Sequence, residues 1–173
     1  MLIRPAAAAD AHAIAVAHVE SWRAAYRGLL PQHVLDGLST ERRADAWRDI
    51  LRIHDGHTLV AVDEPAGDVC GFINVGASRD GDTTSTSNTS VGELRAIYLH
   101  PRWWDTGTGR RLHDAGMTLL AGDFAVATLW VLDANTRARA FYAKHGWHQD
   151  GATKTDDRDG VALVEVRYRR TLP

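Results

Sequence analysis

The stretch Glu93-Leu94-Arg95-Ala96-Ile97-Tyr98-Leu99-His100-Pro101 leads through Arg102 to Thr106 into Gly107-Thr108-Gly109-Arg110-Arg111. These residue types, in this order, suit the binding of an anion. A β-rich run stops at proline, two glycines follow, and a helix then opens on two arginines. The N–H groups at a helix N-terminus point outward, and glycines let the backbone approach a ligand closely. Arg110 and Arg111 add positive charge. The competing reading is a plain strand-to-helix turn with exposed arginines, since a lone Gly-x-Gly is a weak signal. Neither standard nucleotide motif fits. There is no Gly-x-x-x-x-Gly-Lys-Ser/Thr, and Gly-x-Gly-x-x-Gly would need a glycine where Leu112 stands.

A second stretch, Val131 to Trp147, places Asn135 after a strong β-rich run. A helical pattern with Phe141-Tyr142 follows, and Gly146-Trp147 closes it. Other constellations carry less. His145 and His148 straddle a predicted helix end, His12 and His18 do not share a helical face, and no cysteine cluster exists, so no metal is expected. Cys70, the one cysteine, falls in a predicted strand and reads as a small buried apolar residue. No Gly-x-Ser-x-Gly elbow is present.

The elements that must position these residues follow from periodicity and punctuation. Leu2 to Arg4 reads as an edge strand, and Asp10 as the N-cap of a helix with Ile14, Ala17, Ser21, Trp22 and Ala25 on one face. Gly28 ends that helix. A short helical turn spans Pro31 to Leu35. Ser39 opens a further helix whose apolar stripe is Ala46, Trp47, Ile50 and Leu51. Thr58 to Val62 and Val69 to Ala77 read as a hairpin. Ser78 to Gly92 is polar and reads as an exposed loop, with an Asn88-Thr89-Ser90 glycosylation pattern that matters only in a secreted protein. Glu93 to His100, Ala125 to Leu132, Trp147 to Thr155 and Val161 to Arg169 are strands. Helices at 107–121 and 135–145 lie between them. The order β-α-α-α-β-β-β-α-β-α-β-β implies a mixed α/β sheet with helices on both faces.

Composition bounds the rest. At 173 residues the chain reads as one domain, 1–173, large enough to build its own core. Twenty Lys+Arg against twenty-two Asp+Glu give a net charge of -2, which argues against a dedicated nucleic-acid binder. No run of about 18 apolar residues reads as a membrane span. A cytoplasmic location is the expectation. Six of the thirteen aromatic residues are tryptophan, an unusual share that leaves their roles to be assigned.

Together the two stretches resemble the GNAT superfamily of acyl-CoA-dependent N-acyltransferases. That family's central motif is a strand of x-Leu-x-x-Ile-x-Val-x-Pro character, followed by Arg/Gln-x-x-Gly-x-Gly/Ala opening a helix. Glu93 to Pro101 and Gly107 to Leu112 match it. The later Asn-x(5)-Phe-Tyr-x-x-x-Gly-Trp/Phe pattern matches Asn135 to Trp147. The element order agrees from end to end. The chain departs from the family at Trp104, where Arg or Gln is usual, and at Asp105-Thr106, where Gly-Lys is frequent.

The resemblance implies a twisted, mostly antiparallel sheet with a V-shaped splay between its two central strands. It implies acetyl-CoA as acyl donor, bound along the backbone of Ile97 and Leu99. The pyrophosphate would meet Trp104, Asp105, Thr106, Gly107, Thr108, Gly109 and Arg110, and the cofactor arm would meet Asn135. Glu93 is then the candidate base, or else a solvated strand-end carboxylate. Tyr142 is the candidate acid toward the departing thiolate, or else a core residue beside Phe141. The Leu99 N–H would stabilise the developing oxyanion. Trp22, Tyr26, Arg27 and Glu93 are candidates for the acceptor site, with core packing as the rival role for Trp22 and Trp47. Trp103 and Trp104 could stack on the adenine or the substrate, or form a dimer contact. The implied reaction is acetyl transfer to an amine of a small molecule or peptide, with a possible homodimer. The alternative is a non-catalytic acyl-CoA sensor or interaction module.

Overall fold

Val69 to Ala77 and Val126 to Leu132 are buried along almost their whole length. Strands buried on both sides need helices above and below the sheet. The computed structural model describes residues 1–64, 66–81, 91–158 and 160–173. Among them, β1 (Leu2–Pro5), β2 (His57–Val62), β3 (Val69–Ala77), β4 (Val91–Leu99), β5 (Val126–Leu132), β6 (His148–Arg158) and β7 (Val161–Thr171) form one sheet. Its order is β1-β2-β3-β4-β5-β7-β6, and every neighbouring pair is antiparallel except β4–β5. The helices are α1 (Ala11–Ala25), α2 (Gln32–Asp36), α3 (Thr40–Ile53), α4 (Thr108–Asp123) and α5 (Thr136–Lys144). This is the mixed, mostly antiparallel architecture expected from the sequence.

On one face, Ile14 and Ala17 of α1 and Ala44 and Trp47 of α3 pack on Val60, Val62 and Phe72. Tyr26, Leu30, Val34 and Leu35 extend that layer over Leu132 and Leu163. On the other face, Leu112 and Leu120 of α4 and Tyr142 of α5 join Ile73, Leu129 and Val166. Gly116 lets α4 lie directly on β3: a Cβ there would sit 2.4 Å from Ile73 Cδ1.

Several local expectations change. The buried stripe of α3 is Ala44, Trp47 and, in part, Leu51, whereas Ala46 and Ile50 are exposed. The two sets sit one residue apart, about 100° around the helix, so the tryptophan alone did not fix the face. Asp10 does not cap α1. Its carboxylate accepts from Arg4 and from the Ala7 N–H at 2.7 Å, because the β1 guanidinium lies within reach. Ser39 does cap α3, accepting from the Arg42 N–H at 3.2 Å. Strand β4 starts at Val91, ahead of Glu93, and β6 runs on to Arg158. The 82–90 part of the polar loop, including the Asn88-Thr89-Ser90 pattern, lies outside the described residues. No helix among the described residues is long and apolar enough to cross a membrane.

The feature that matters for function is the fork between β4 and β5. They pair only over Val91–Glu93 and Val126–Thr128. Beyond that, β4 stays with β3 as far as Leu99↔Gly71, and β5 stays with β7 as far as Leu132↔Glu165. The two strands part because each keeps only its outer partner.

Candidate active site

The fork leaves one edge of β4 without a strand partner. The His100 N–H donates to the Cys70 carbonyl at 2.8 Å. Backbone groups alternate sides along an antiparallel ladder. The N–H and C=O groups of Ile97 and Leu99 therefore face the fork. The Leu99 carbonyl there accepts from Trp104 Nε1 at 3.0 Å, so the Leu99 N–H is the group left to act on a ligand.

The loop after β4 turns tightly into α4. Asp105 and Gly107 both have positive φ, 61° and 84°. The Thr106 hydroxyl donates to the Trp103 carbonyl at 2.7 Å and lies 2.9 Å from that of Thr108. The first-turn N–H groups of Gly109 and Arg110 fall where an α-helix has no internal acceptor. Arg110 is exposed beside them. The loop's one carboxylate, Asp105, is held by Arg137 of α5, whose Nη2 lies 3.0 Å from both oxygens. The same guanidinium sits 4.5 Å from the centre of the Trp104 ring. The acidic departure in this loop is thus neutralised from α5, a compensation invisible along the chain.

Toward the α1 side of the open fork, aromatic residues from three elements meet. Trp22 of α1 and Tyr26, just past the end of that helix, pack edge to face at 4.8 Å, and Tyr98 of β4 stacks on His18 at 4.4 Å. Tyr142 of α5 completes the set. Burial pushes the phenols of Tyr26, Tyr98 and Tyr142 up, so all three stay protonated at neutral pH. Asn135 caps α5, its Oδ1 accepting from the Ala138 N–H at 3.1 Å. Strands β6 and β7 contribute Asp156, Arg158 and Glu165.

A single cleft of about 1000 Å³ joins the two ends. It runs from Gly107 and Arg110 past Ile97 and Leu99 to Trp22, Tyr26, Tyr98 and Glu165. A helix N-terminus, an open strand edge and an aromatic chamber thus share one channel. The family model described as "Acetyltransferase (GNAT) family" matches residues 18–147.

The chain belongs to the GNAT acetyltransferase family.

It is an acyl-CoA-dependent N-acetyltransferase. It is 35% identical to the uncharacterized N-acetyltransferase YuaI of Bacillus subtilis (strain 168), over 77% of this chain and 72% of that one. It is 26% identical to the probable N-acetyltransferase Rv2775 of Mycobacterium tuberculosis, over 96% and 91%. The PaiA N-acetyltransferase of Thermoplasma acidophilum, solved with coenzyme A, shares its fold with a TM-score of 0.67 at 20% identity, each chain 98% covered.

In this GNAT protein the cleft gathers most of the residues singled out in the sequence. Ile97, Leu99, Trp104, Asp105, Gly107, Gly109, Arg110, Asn135, Tyr142, Trp22 and Tyr26 line it, while Thr106, Thr108, Arg27 and Glu93 do not. Thr108 is buried under the loop, and Arg27 is exposed beyond the chamber. Glu93 sits at the closed end of the fork, 4% exposed, in the last paired step opposite Thr128. Trp47 is a core residue, donating to His18 Nδ1 at 3.4 Å. Among the described residues, no three His, Cys, Asp or Glu side chains gather as a metal-binding group. Sequence reasoning missed Tyr98, Arg137, Arg158 and Glu165. Strand alternation could have flagged Glu165, two residues from Leu163 on the same face of β7.

Proposed function

We propose that this acetyltransferase moves an acetyl group from acetyl-CoA to a primary amine of a small molecule or peptide. Attack is direct, within a ternary complex, with no covalent enzyme intermediate. The observation that carries this reading is the continuous cleft, which puts the Leu99 N–H and the Tyr142 phenol on one lining between an anion-binding end and an aromatic end.

The residues present suit acetyl-CoA. Its pyrophosphate would be held by the α4 N-terminus, with Trp104 to Arg110 around it and Arg137 cancelling Asp105. Ile97 and Leu99 would hold the cofactor arm through their backbone, and Asn135 would contact it from α5. Bound there, acetyl-CoA supplies the activated thioester. The Leu99 N–H donates to the carbonyl oxygen as negative charge develops on it, the kind of fixed donor that contributes about 3 kcal/mol in related acyl transfers.

Tyr142 donates to the departing sulfur. Its phenol holds its proton more tightly than usual, so a hydrogen bond to the thiolate serves better than full proton release. An alkyl amine has a pKa of about 10.4, so the attacking form must be made on the enzyme. Glu93 is the carboxylate assigned to take that proton. Because it lies outside the cleft lining, the proton reaches it through water. Trp22 and Tyr26 shape the acceptor chamber, with Arg27 at its outer margin.

The sensor alternative has one observation in its favour: Arg79 already clasps Glu93. Release of free thiol from acetyl-CoA across an amine library separates the two readings. Turnover that falls in Glu93→Gln and Tyr142→Phe supports transfer. Binding of acetyl-CoA with no turnover on any amine supports the sensor.

A further inference from the structure

Resting on the transfer reaction proposed above, we infer that the Trp130 indole is the platform on which the body of the acceptor amine lies, and that Asp80 is the residue that positions it.

Strand alternation puts Trp130 there. Leu129 and Val131 join the core that α4 covers, so Thr128, Trp130 and Leu132 turn to the opposite face. Leu132 on that face packs with Tyr26. Glu93 and Thr128 form the last paired step between β4 and β5. Trp130 is therefore the first β5 side chain on the acceptor side once the strands part. It is half-buried and lines the cleft. An amine placed between the fork and Glu93 lies beside this ring.

The ring is fixed from behind. Its Nε1–H is shared between both oxygens of Asp80, 3.0 Å from each. Asp80 Oδ2 also accepts from Arg167 Nη1 at 3.3 Å, and Arg167 Nε donates to Asp150 at 2.8 Å. The Arg167 side chain is only 8% exposed, so this ion chain is little screened by salt and holds its place. The Lys154 ammonium lies 4.3 Å from the ring centre and the Arg167 guanidinium 5.5 Å. An indole has a single donor. Turning the ring would part that donor from its carboxylate, so Asp80 selects one ring orientation. Asp80 also follows Arg79, which clasps Glu93. The Ser78 N–H, donating to the Val91 carbonyl at 2.8 Å, anchors the same segment on β4. Two successive residues thus set the proton-accepting carboxylate and the platform.

The test uses the full chain, acetyl-CoA and two amines, phenethylamine with a flat body and hexylamine with a flexible one. Trp130→Leu should raise KM for phenethylamine about tenfold, and that for hexylamine less. The kcat and the KM for acetyl-CoA should each stay within about threefold, the pattern of lost ground-state binding. Asp80→Ala should act in the same way, and Asp80→Asn, which keeps an acceptor oxygen, should recover most of the loss. In a Trp130→Phe background, which has no ring N–H, Asp80→Ala should add less than about twofold to the amine KM, although it still removes the Arg167 contact. An Asp80 effect of equal size in both backgrounds is that of a merely structural residue and overturns the inference. So does an unchanged amine KM in Trp130→Leu, or an equal rise in the KM for acetyl-CoA. If no amine at all is acetylated although acetyl-CoA binds, the transfer reading fails. In that case, or if only these two amines are refused, calorimetric titration of N-acetylphenethylamine with CoA present decides this proposal. Binding weakened at least about fivefold by both Trp130→Leu and Asp80→Ala upholds it, and equal or absent binding overturns it.

Discussion

Arg79 clasps Glu93 with three donors. Nη2 reaches Oε1 at 2.8 Å, Nε reaches Oε2 at 3.0 Å, and the Arg79 backbone N–H reaches Oε2 at 3.1 Å. Burial pushes the Glu93 carboxyl up, but the Arg79 hydrogen bonds and charge outweigh it and hold the carboxyl below its usual range. Glu93 is therefore ionised at neutral pH although its side chain is only 5% exposed.

Replacing the clasp should expose what burial alone does. In Arg79→Met the Glu93 carboxyl should rise above the usual carboxylate range. The native pair contributes stability above the unfolded value near 4.5 and loses it as pH falls through the lowered folded value. Arg79→Met should therefore unfold at lower urea concentration at pH 7, by about 1–3 kcal/mol. The gap should narrow below pH 4. An unchanged gap across that range would separate the clasp from the Glu93 titration.

Tyr142→Phe keeps the ring that packs against Phe141 and Trp147 and removes only the hydroxyl. A lost hydrogen bond to a developing charge costs about 1.5–3 kcal/mol, or roughly ten- to hundredfold in kcat. Stopped-flow thiol release should show that fall while acetyl-CoA affinity stays within about twofold. A fall in affinity equal to the fall in kcat would assign Tyr142 to binding alone.

Arg137→Ala should free the Asp105 carboxylate beside the phosphate loop. A negative charge near the pyrophosphate and the loss of a guanidinium act in the same direction. The Kd for CoA should rise about tenfold at low salt, and the penalty should shrink in 0.5 M salt as screening shortens to a few ångströms. Asp105→Asn combined with Arg137→Ala should recover most of the loss. Titration calorimetry of the two variants checks both statements.

Two buried histidines set an acid limit on the fold. Burial, with the charges of Arg43 and Arg158 adding to it, lowers His18 to about 3. Burial also lowers His113 to about 4, and its Nε2 accepts from Trp147 Nε1 at 2.9 Å. Unfolded histidines titrate near 6.5, so below that pH the unfolded chain binds protons that the folded chain does not. Stability should be flat above pH 7. It should fall toward pH 4 by about 1.4 kcal/mol per pH unit for each histidine. Urea melts followed by tryptophan fluorescence at several pH values read the slope, and His113→Gln should reduce it by about half.

What could be read along the chain was what neighbouring residues decide. The glycines at 107 and 109, Asn135 and the Phe141-Tyr142 pair lie in short contiguous motifs, so α4 and α5 were legible, and the fork and the open strand edge followed from the family resemblance that those motifs carry. Arg79 and Glu93 are fourteen residues apart across a polar loop, and Arg137 meets Asp105 from another helix. Pairings of that kind depend on how the elements pack. Tyr98 escaped notice because a lone aromatic in a strand reads as core until a neighbouring strand departs. Glu165 and Arg158 escaped because the last hairpin looks solvated until the end of α1 and the segment through α2 are laid against β7. The tryptophans divide on the same ground: Trp47 and Trp147 fill the core, while Trp22, Trp103, Trp104 and Trp130 line the cleft.

The most direct test incubates the purified chain with acetyl-CoA and an amine library, and measures free thiol and N-acetylated amine together. Transfer through this cleft predicts the two products in equal amounts, with both lost in Tyr142→Phe well before acetyl-CoA binding is lost. Thiol release without an acetylated amine, or acetylation untouched by Tyr142→Phe, would contradict it.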